Sequence, residues 1–298
     1  MGVCLFGFCN RQVINAATTI AVSPTVFELT GNPGEVIENQ VKISNPSDSQ
    51  VGIKMAVEDI APTGEAGYVI PEPAETETYS LANWIKCTPN EFVLEPGQSQ
   101  WVSFSITIPN NAEPGGHYGT VLAASASIAG SNITGTALVT RIGTLVLLTT
   151  PGKMKEFLAV KDFYVSSTIP YFEYGPVYFN AKFENLGNVH VRPLAMVTVT
   201  NWLGQKVGVA TIKQQNVLPR AVRKFDAVLD KKWFWAGKYT ATITGTYGSE
   251  NSLVPVVITF WAFPWKFGLI ILASIIILIL MRNRLISAIK ILVRGERY

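Results

Sequence analysis

The chain has 298 residues, 48% of them apolar and only 15% charged, with a formal net charge of +3. An ordinary soluble domain carries roughly 25% charged residues, so part of this chain is held away from water. The length suits about two domains at roughly 150 residues each, and with two histidines and three cysteines no Cys/His cluster of zinc-ligand spacing occurs.

The N-terminus reads MGVCLFGFCNRQVINA. Its apolar run, Val3 to Phe8, is shorter than the usual h-region of about 7 to 15 residues and lacks a preceding basic residue, while Ala16 supplies a small residue at the end. Residues 1–16 are therefore expected to be the remainder of a secretory signal peptide that begins further upstream. The competing expectation is a tail-anchored chain with cytosolic domains. Cleavage would remove Cys4 and Cys9 and leave Cys87 alone, so no internal disulfide is expected in the mature chain.

Residues 17–150 alternate apolar and polar positions between Gly, Pro and Asn punctuation, the pattern of an all-β sandwich. Strands are predicted near TVFELT, ENQVKISN, VGIKMAVEDI, QWVSFSITIP, HYGTVLAASAS and TALVTRIGTLVLLT, with SLANWIK as one short helical turn. The stretch NNAEPGGHYGTVLA has the glycines of a phosphate loop but no lysine and Ser/Thr before a helix. It is read as a turn feeding a strand. The adjoining carboxylates Glu58 and Asp59, and Glu72, Glu75 and Glu77 in a Pro- and Thr-rich loop, are read as solvated acids rather than a catalytic pair. Asn132, Ile133 and Thr134 form a glycosylation sequon.

Residues 151–260 repeat the same order of signals, beyond a short linker at Thr150 to Glu156. VKISNPSD returns as AKFENLGN, LEPGQSQWVSFSI as LPRAVRKFDAVL, and PGGHYGTVLA as WAGKYTATI. Such matches suggest a duplicated Ig-like unit. In both copies Gly, one residue and Tyr open a strand, so the glycine is expected to supply positive φ and the tyrosine to pack under the turn. His117 falls where Lys238 stands in the second copy, which argues for a structural role. In KKWFWAGKY, Trp233 and Trp235 are candidate ligand-contacting aromatics, for sugar faces or for the membrane interface, with one ring expected in the core and the other exposed.

Charge divides the two units. Residues 17–150 carry four basic and thirteen acidic side chains, a net of −9, and residues 151–260 carry thirteen basic and seven acidic, a net of +6. The basic unit suits anionic lipid headgroups or anionic wall polymers, or is a solvated surface with no partner; no aromatic or Gly-rich signature of nucleic-acid binding accompanies it.

A single transmembrane helix is predicted over residues 261–281. Trp261 and Trp265 would form an aromatic belt with Phe263, and Lys266 would snorkel to the interface. The tail, residues 282–298, holds five basic residues, Arg282 and Arg284 among them, and one acid. That excess places the C-terminus in the cytoplasm and the sandwiches outside the cell.

The exported chain resembles the WxL-interacting protein family of bacterial cell surfaces. The similarity rests on VSPTVFELTGNPGE, VKISNPSD, LEPGQSQWVSFSITIP, PGGHYGTVLA and the basic-tailed terminal span. It implies a peptidoglycan-binding Ig-like first domain, a second sandwich that binds a host or partner protein, and a membrane anchor; the second domain is shorter than is usual in that family. Together these readings predict an all-β chain of two tandem Ig-like β-sandwich domains and one C-terminal transmembrane helix. The expected role is a non-enzymatic surface protein with no catalytic, cofactor or metal site. Its expected partners are the lipid bilayer and a cell-wall polymer or envelope protein, with its oligomeric state left open. The alternative is a membrane-anchored assembly chaperone for surface-fibre or envelope subunits.

Overall fold

Side chains that alternate in and out along each segment leave the chain little choice but pleated strands. The computed structural model describes residues 20–71, 79–126, 139–167 and 171–294, with side chains as far as residue 282. The expected signal remnant, Glu72, Glu75, Glu77, the Asn132 sequon and the last residues of the tail lie outside the described residues. The chain is all-β with one C-terminal apolar helix. It divides into two compact units, with the chain passing from the first to the second between Lys155 and Glu156.

The first unit contains β1 (Ala21–Ser23), β2 (Val26–Thr30), β3 (Val36–Ser44), β4 (Val51–Thr63), β5 (Tyr68–Pro71), β6 (Ile85–Thr88), β7 (Glu91–Leu94), β8 (Ser99–Thr107), β9 (Gly115–Ala126) and β10 (Arg141–Thr150). One sheet runs β1-β3-β8-β6 and the other β2-β10-β9-β4-β5, with β7 also on β4. The two share one core, in which Val41, Ile43, Val102, Phe104 and Ile106 from the first sheet meet Ile53, Val121, Val146 and Leu148 from the second. Parity decides membership: along β8, Val102, Phe104 and Ile106 are buried while Trp101, Ser103 and Thr107 face solvent. SLANWIK forms a single 3-10 turn at Ala82–Trp84.

The second unit contains β11 (Leu158–Val165), β12 (Tyr171–Phe172), β13 (Val177–Asn185), β14 (Leu194–Asn201), β15 (Lys206–Thr211), β16 (Val222–Leu229), β17 (Gly237–Tyr247), β18 (Asn251–Ser252), β19 (Val256–Ala262) and helix α1 (Trp265–Arg294). Its sheets run β11-β13-β16 and β12-β19-β17-β14-β15. The order follows that of the first unit, but among the described residues β6 and β7 have no counterparts, and β18, paired with β17, has none in the first unit. Its core is more aromatic. Phe260 stacks on Tyr239 at 5.5 Å and meets Phe172 edge-on at 5.5 Å, and Phe234 meets Tyr239 edge-on at 5.2 Å.

The repeated sequence signals correspond to one repeated device. Asn45 and Asn185, at or just beyond the ends of β3 and β13, are each 0% exposed. Asn45 Nδ2 donates to the carbonyls of Ser49, Leu94 and Glu95 at 2.8, 3.1 and 3.2 Å, and Asn185 Nδ2 donates to that of Val217 at 2.8 Å. Each asparagine also joins its backbone to a reverse turn: Gly97 N donates to Asn45 O at 2.8 Å, and Arg220 N to Asn185 O at 2.9 Å. The turns are Pro96-Gly97 and Pro219-Arg220, with φ of +73° at Gly97 and +61° at Arg220. Proline at the second position and positive φ at the third is type II geometry. Glycine adopts it freely in the first unit, whereas in the second an arginine is held there at a cost of about 1–2 kcal/mol.

Helix α1 starts at Trp265, four residues later than the span predicted from Trp261. Trp261 belongs to β19, because Phe260 and Ala262 alternate into the core and hold the strand against β17 as far as Ala262. Pro264 then ends the strand, and its carbonyl accepts from the amides of Phe267 and Gly268 at 3.1 and 3.3 Å, which caps the helix. Trp265–Arg282 is apolar enough to cross a membrane, and its 18 residues span about 27 Å at 1.5 Å each. Within it Ser274 satisfies its own hydroxyl on Ile270 O at 2.8 Å.

Denaturation of the detergent-solubilised chain should show Asn45→Ala losing about 3 kcal/mol, because buried carbonyls are left without donors. An added Cβ at Gly97 meets nothing within 4 Å, so Gly97→Ala should lose about 1 kcal/mol through φ alone, and Arg220→Gly should gain about 0.5–1 kcal/mol.

Candidate interaction surfaces

Two fates separate the residues of KKWFWAGKY. Phe234, 4% exposed, is the side chain that enters the core. Both tryptophans stay outside it, which corrects the expectation that one of them would be buried. A strand-entry turn of this kind sends one residue inward and its two neighbours outward, and the smaller ring took the inward place. Trp235 is 88% exposed. Trp233 lies edge-on to Tyr174 at 5.3 Å and to Phe267 of α1 at 5.1 Å, so it joins the sandwich to the helix.

The other interface residues gather at the same root. Trp265 occupies the first turn of α1 and Trp261 the end of β19, both exposed. Lys266 Nζ lies 3.0 Å from Glu173 Oε2 and 5.6 Å from the ring centres of Tyr174 and Trp265. It is therefore engaged by the sandwich while 55% of its side chain stays exposed. Desolvation first, then the hydrogen bond to Glu173, raises the Tyr174 phenol above its usual value, and Lys266 opposes this in part. Arg282 ends the apolar stretch and is exposed; Arg284 follows in the same helix, with its side chain outside the described residues.

The residues weighed for chemistry have structural tasks. Asp59 accepts from the Ser80 hydroxyl at 2.6 Å and from the amides of Leu81 and Ala82 at 2.8 Å each, which caps the 3-10 turn. Its neighbour Glu58 pairs with Arg141. His117 is 2% exposed, with Nε2 3.0 Å from Glu113 O and its ring centre 4.4 Å from that of Trp84. Among the described residues no three His, Cys, Asp or Glu side chains converge as metal ligands would. In the two Gly-x-Tyr turns both tyrosines are buried, and Tyr239 donates to Trp235 O at 2.9 Å. Gly237 has φ of +149°, but in the first unit the positive φ belongs to Gly115 instead of Gly116. Gly116 is required for space, since an added Cβ would collide with the Tyr118 hydroxyl.

Two surfaces escaped the sequence reading. The first is an open sheet edge. In both units the opening segment crosses from one sheet to the other, and β2 pairs with β10 only over Leu145–Thr149. Arg141 to Thr144 pair with β9 on one side and have no ladder partner on the other among the described residues. Thr144 is 0% exposed, so the accessible part of this edge is Arg141 to Gly143. In the second unit β12 likewise covers only Trp261 and Ala262 of β19, but Pro255 precedes that open stretch and blunts it. No residue type marks an open edge, so only the pairing register reveals it.

The second surface is the outer face of β3 and β8, where Trp101, 58% exposed, stands opposite Lys42 and near Gln40, Ser99 and Ser103. Gln40 Nε2 donates to Ser103 Oγ at 3.3 Å. Parity along QWVSFSI, with Val, Phe and Ile inward, was sufficient to place this ring outside.

No family model and no curated protein matches the chain. Among solved structures it is similar to a chain of a chaperone-tip adhesin complex of CFA/I fimbriae biogenesis, with 13% identity over 80% of this chain and 98% of that one and a TM-score of 0.42. It is also similar to the class 5 fimbriae chaperone CfaA, with 13% identity over 83% and 100% of the two chains and a TM-score of 0.40. For the E. coli chaperone DraB the values are 11%, 81%, 96% and 0.38.

Phe234→Ala should destabilise the second unit by about 3–5 kcal/mol, as expected for emptying an aromatic core site, whereas Trp235→Ala should change thermal stability by less than about 0.5 kcal/mol. Burial pushes the Cys87 thiol from 9.0 up to about 11, which leaves about 100-fold less thiolate near neutral pH. Iodoacetamide should accordingly modify Cys87 far more slowly than an unfolded control, with the rate rising as the pH approaches about 11.

Proposed function

We propose that the chain is a non-catalytic, membrane-anchored holder of extracytoplasmic envelope proteins, of the assembly-chaperone type, with α1 as its anchor and the open edge of β10 as its docking line. The observation that carries this reading is the stretch Arg141 to Gly143, paired on one side only among the described residues. An extended segment of another protein laid there would continue the sheet through main-chain hydrogen bonds, which need no signature residues in either partner. Strand addition also suits a holder because it recognises extended backbone, the form in which an incompletely folded subunit presents itself. The basic tail beyond α1 supports a cytoplasmic C-terminus and sandwiches on the far side of the membrane. The similarity to WxL-interacting proteins in VSPTVFELTGNPGE and the segments after it supports a bacterial cell-surface setting.

A second reading is favoured by Trp101. One exposed ring on a flat sheet face bordered by Gln40, Ser99 and Ser103 offers a stacking platform with hydroxyl and amide groups around it, which is the chemistry of a wall-polymer contact.

A photo-crosslinking side chain placed at Arg141 in intact cells should join the chain to an envelope protein, with the crosslink mapping to an extended segment of that partner. The same probe at Val257, on the edge that Pro255 blunts, should give little product. Equal yields from both positions, or none from Arg141, would remove the strand-addition reading. Co-sedimentation with purified wall polymer that is abolished by Trp101→Ala would install the polymer reading in its place.

A further inference from the structure

The register of the second unit brings several exposed apolar side chains to one end of one sheet. Across neighbouring strands, Asn201 at the end of β14 faces Tyr239, and Gly237 at the start of β17 faces Ala262 at the end of β19. The turn after Asn201, the turn holding Trp235, and the step from β19 into α1 therefore share an end. Trp202 and Leu203 form the tip of the first turn, 67% and 58% exposed. They are held outward by a locked turn, not by chance: Asn201 Oδ1 accepts from the amides of Leu203 and Gln205 at 3.0 and 2.9 Å, and Gly204 N donates to Asn201 O at 2.9 Å. The Trp202 ring lies against Gly237, where an added Cβ would come within 2.9 Å of it. Phe263, also exposed, leads directly into α1.

An exposed apolar cluster of this size needs an occupant. Two features of the same end indicate which. The turn that carries Trp235 also carries Trp233, which lies edge-on to Phe267 at the root of the membrane helix. The cluster is also accompanied by exposed lysines, Lys206, Lys232 and Lys238. Aromatic side chains interleaved with lysines are what the headgroup layer of a bilayer accepts, the rings at the acyl boundary and the ammonium groups on lipid phosphates.

We infer that the second sandwich rests directly on the bilayer surface through the Trp202-Leu203 turn and Trp235, as a second membrane contact beside α1. The inference depends on α1 lying in the membrane but not on the docking role of β10. Together with the side-chain contacts at the root of α1, this second contact fixes the tilt of the sandwich against the bilayer.

The test uses the full chain with its three cysteines replaced by serine, reconstituted in phosphatidylcholine–phosphatidylglycerol nanodiscs. Spin labels are placed singly by Leu203→Cys, Trp235→Cys, Ile275→Cys and Glu250→Cys. Position 250 is the aqueous reference, beyond the far end of β17 and about 35 Å from its start at roughly 3.3 Å per residue. Labels at 203 and 235 should collide with oxygen in preference to a water-soluble nickel chelate, severalfold more so than at 250 and approaching the behaviour at 275. If 275 is immersed while 203 and 235 match 250, the surface contact is refuted and the anchor stands. If 275 is itself aqueous, both fail.

Discussion

Each sandwich depends on a buried asparagine that closes one end of its core. An unpaired carbonyl in a dry interior costs about 1–3 kcal/mol, and at these ends the chain turns and presents several. Asn45 and Asn185 supply the donors, and their backbones also hold the reverse turn that leads into β8 or β16. The strand that follows thereby enters the sheet in a fixed register. With β3 and β8 aligned, the alternate residues of both strands fall into one core, and the edges of the other sheet follow from where the opening segment crosses over.

Much of this was legible in the residues. VKISNPSD and AKFENLGN match because the same physical demand on an asparagine recurs at the same place in each unit. Parity in QWVSFSI, in AKFEN and along β17 predicts which side chains are buried. What stayed hidden has a common character. β5, β6 and β7 are four residues each, too short for alternation to rise above the loops around them. Phe234 could not be separated from its flanking tryptophans, because three adjacent large rings carry no parity signal. Trp261 and Ala262, expected in the membrane span, instead end β19, since TFWAF is apolar enough for either; only Phe260 and Ala262 in the core, and Pro264 after them, separate strand from helix.

The helix root illustrates how little of an interface resides in any one residue. Lys266, expected to reach for water, is held by Glu173 and by two rings, and Trp233 spans from sandwich to helix. Side chains of the sandwich therefore meet the first turn of α1, and the junction is a joint with contacts across it instead of a bare tether.

Among the described residues the second sandwich has no counterpart of β6, which leaves β16 as the outer strand of a three-stranded sheet. An outer strand of alternating apolar residues can invite identical molecules to zip together, and confinement to a membrane plane would concentrate them for it. Lys224 and Asp226 stand exposed along this strand, and charged side chains on an outer strand oppose such pairing. Resistance to lateral clumping would then rest on ionised groups, a task in which the hydrophobic interior has no part.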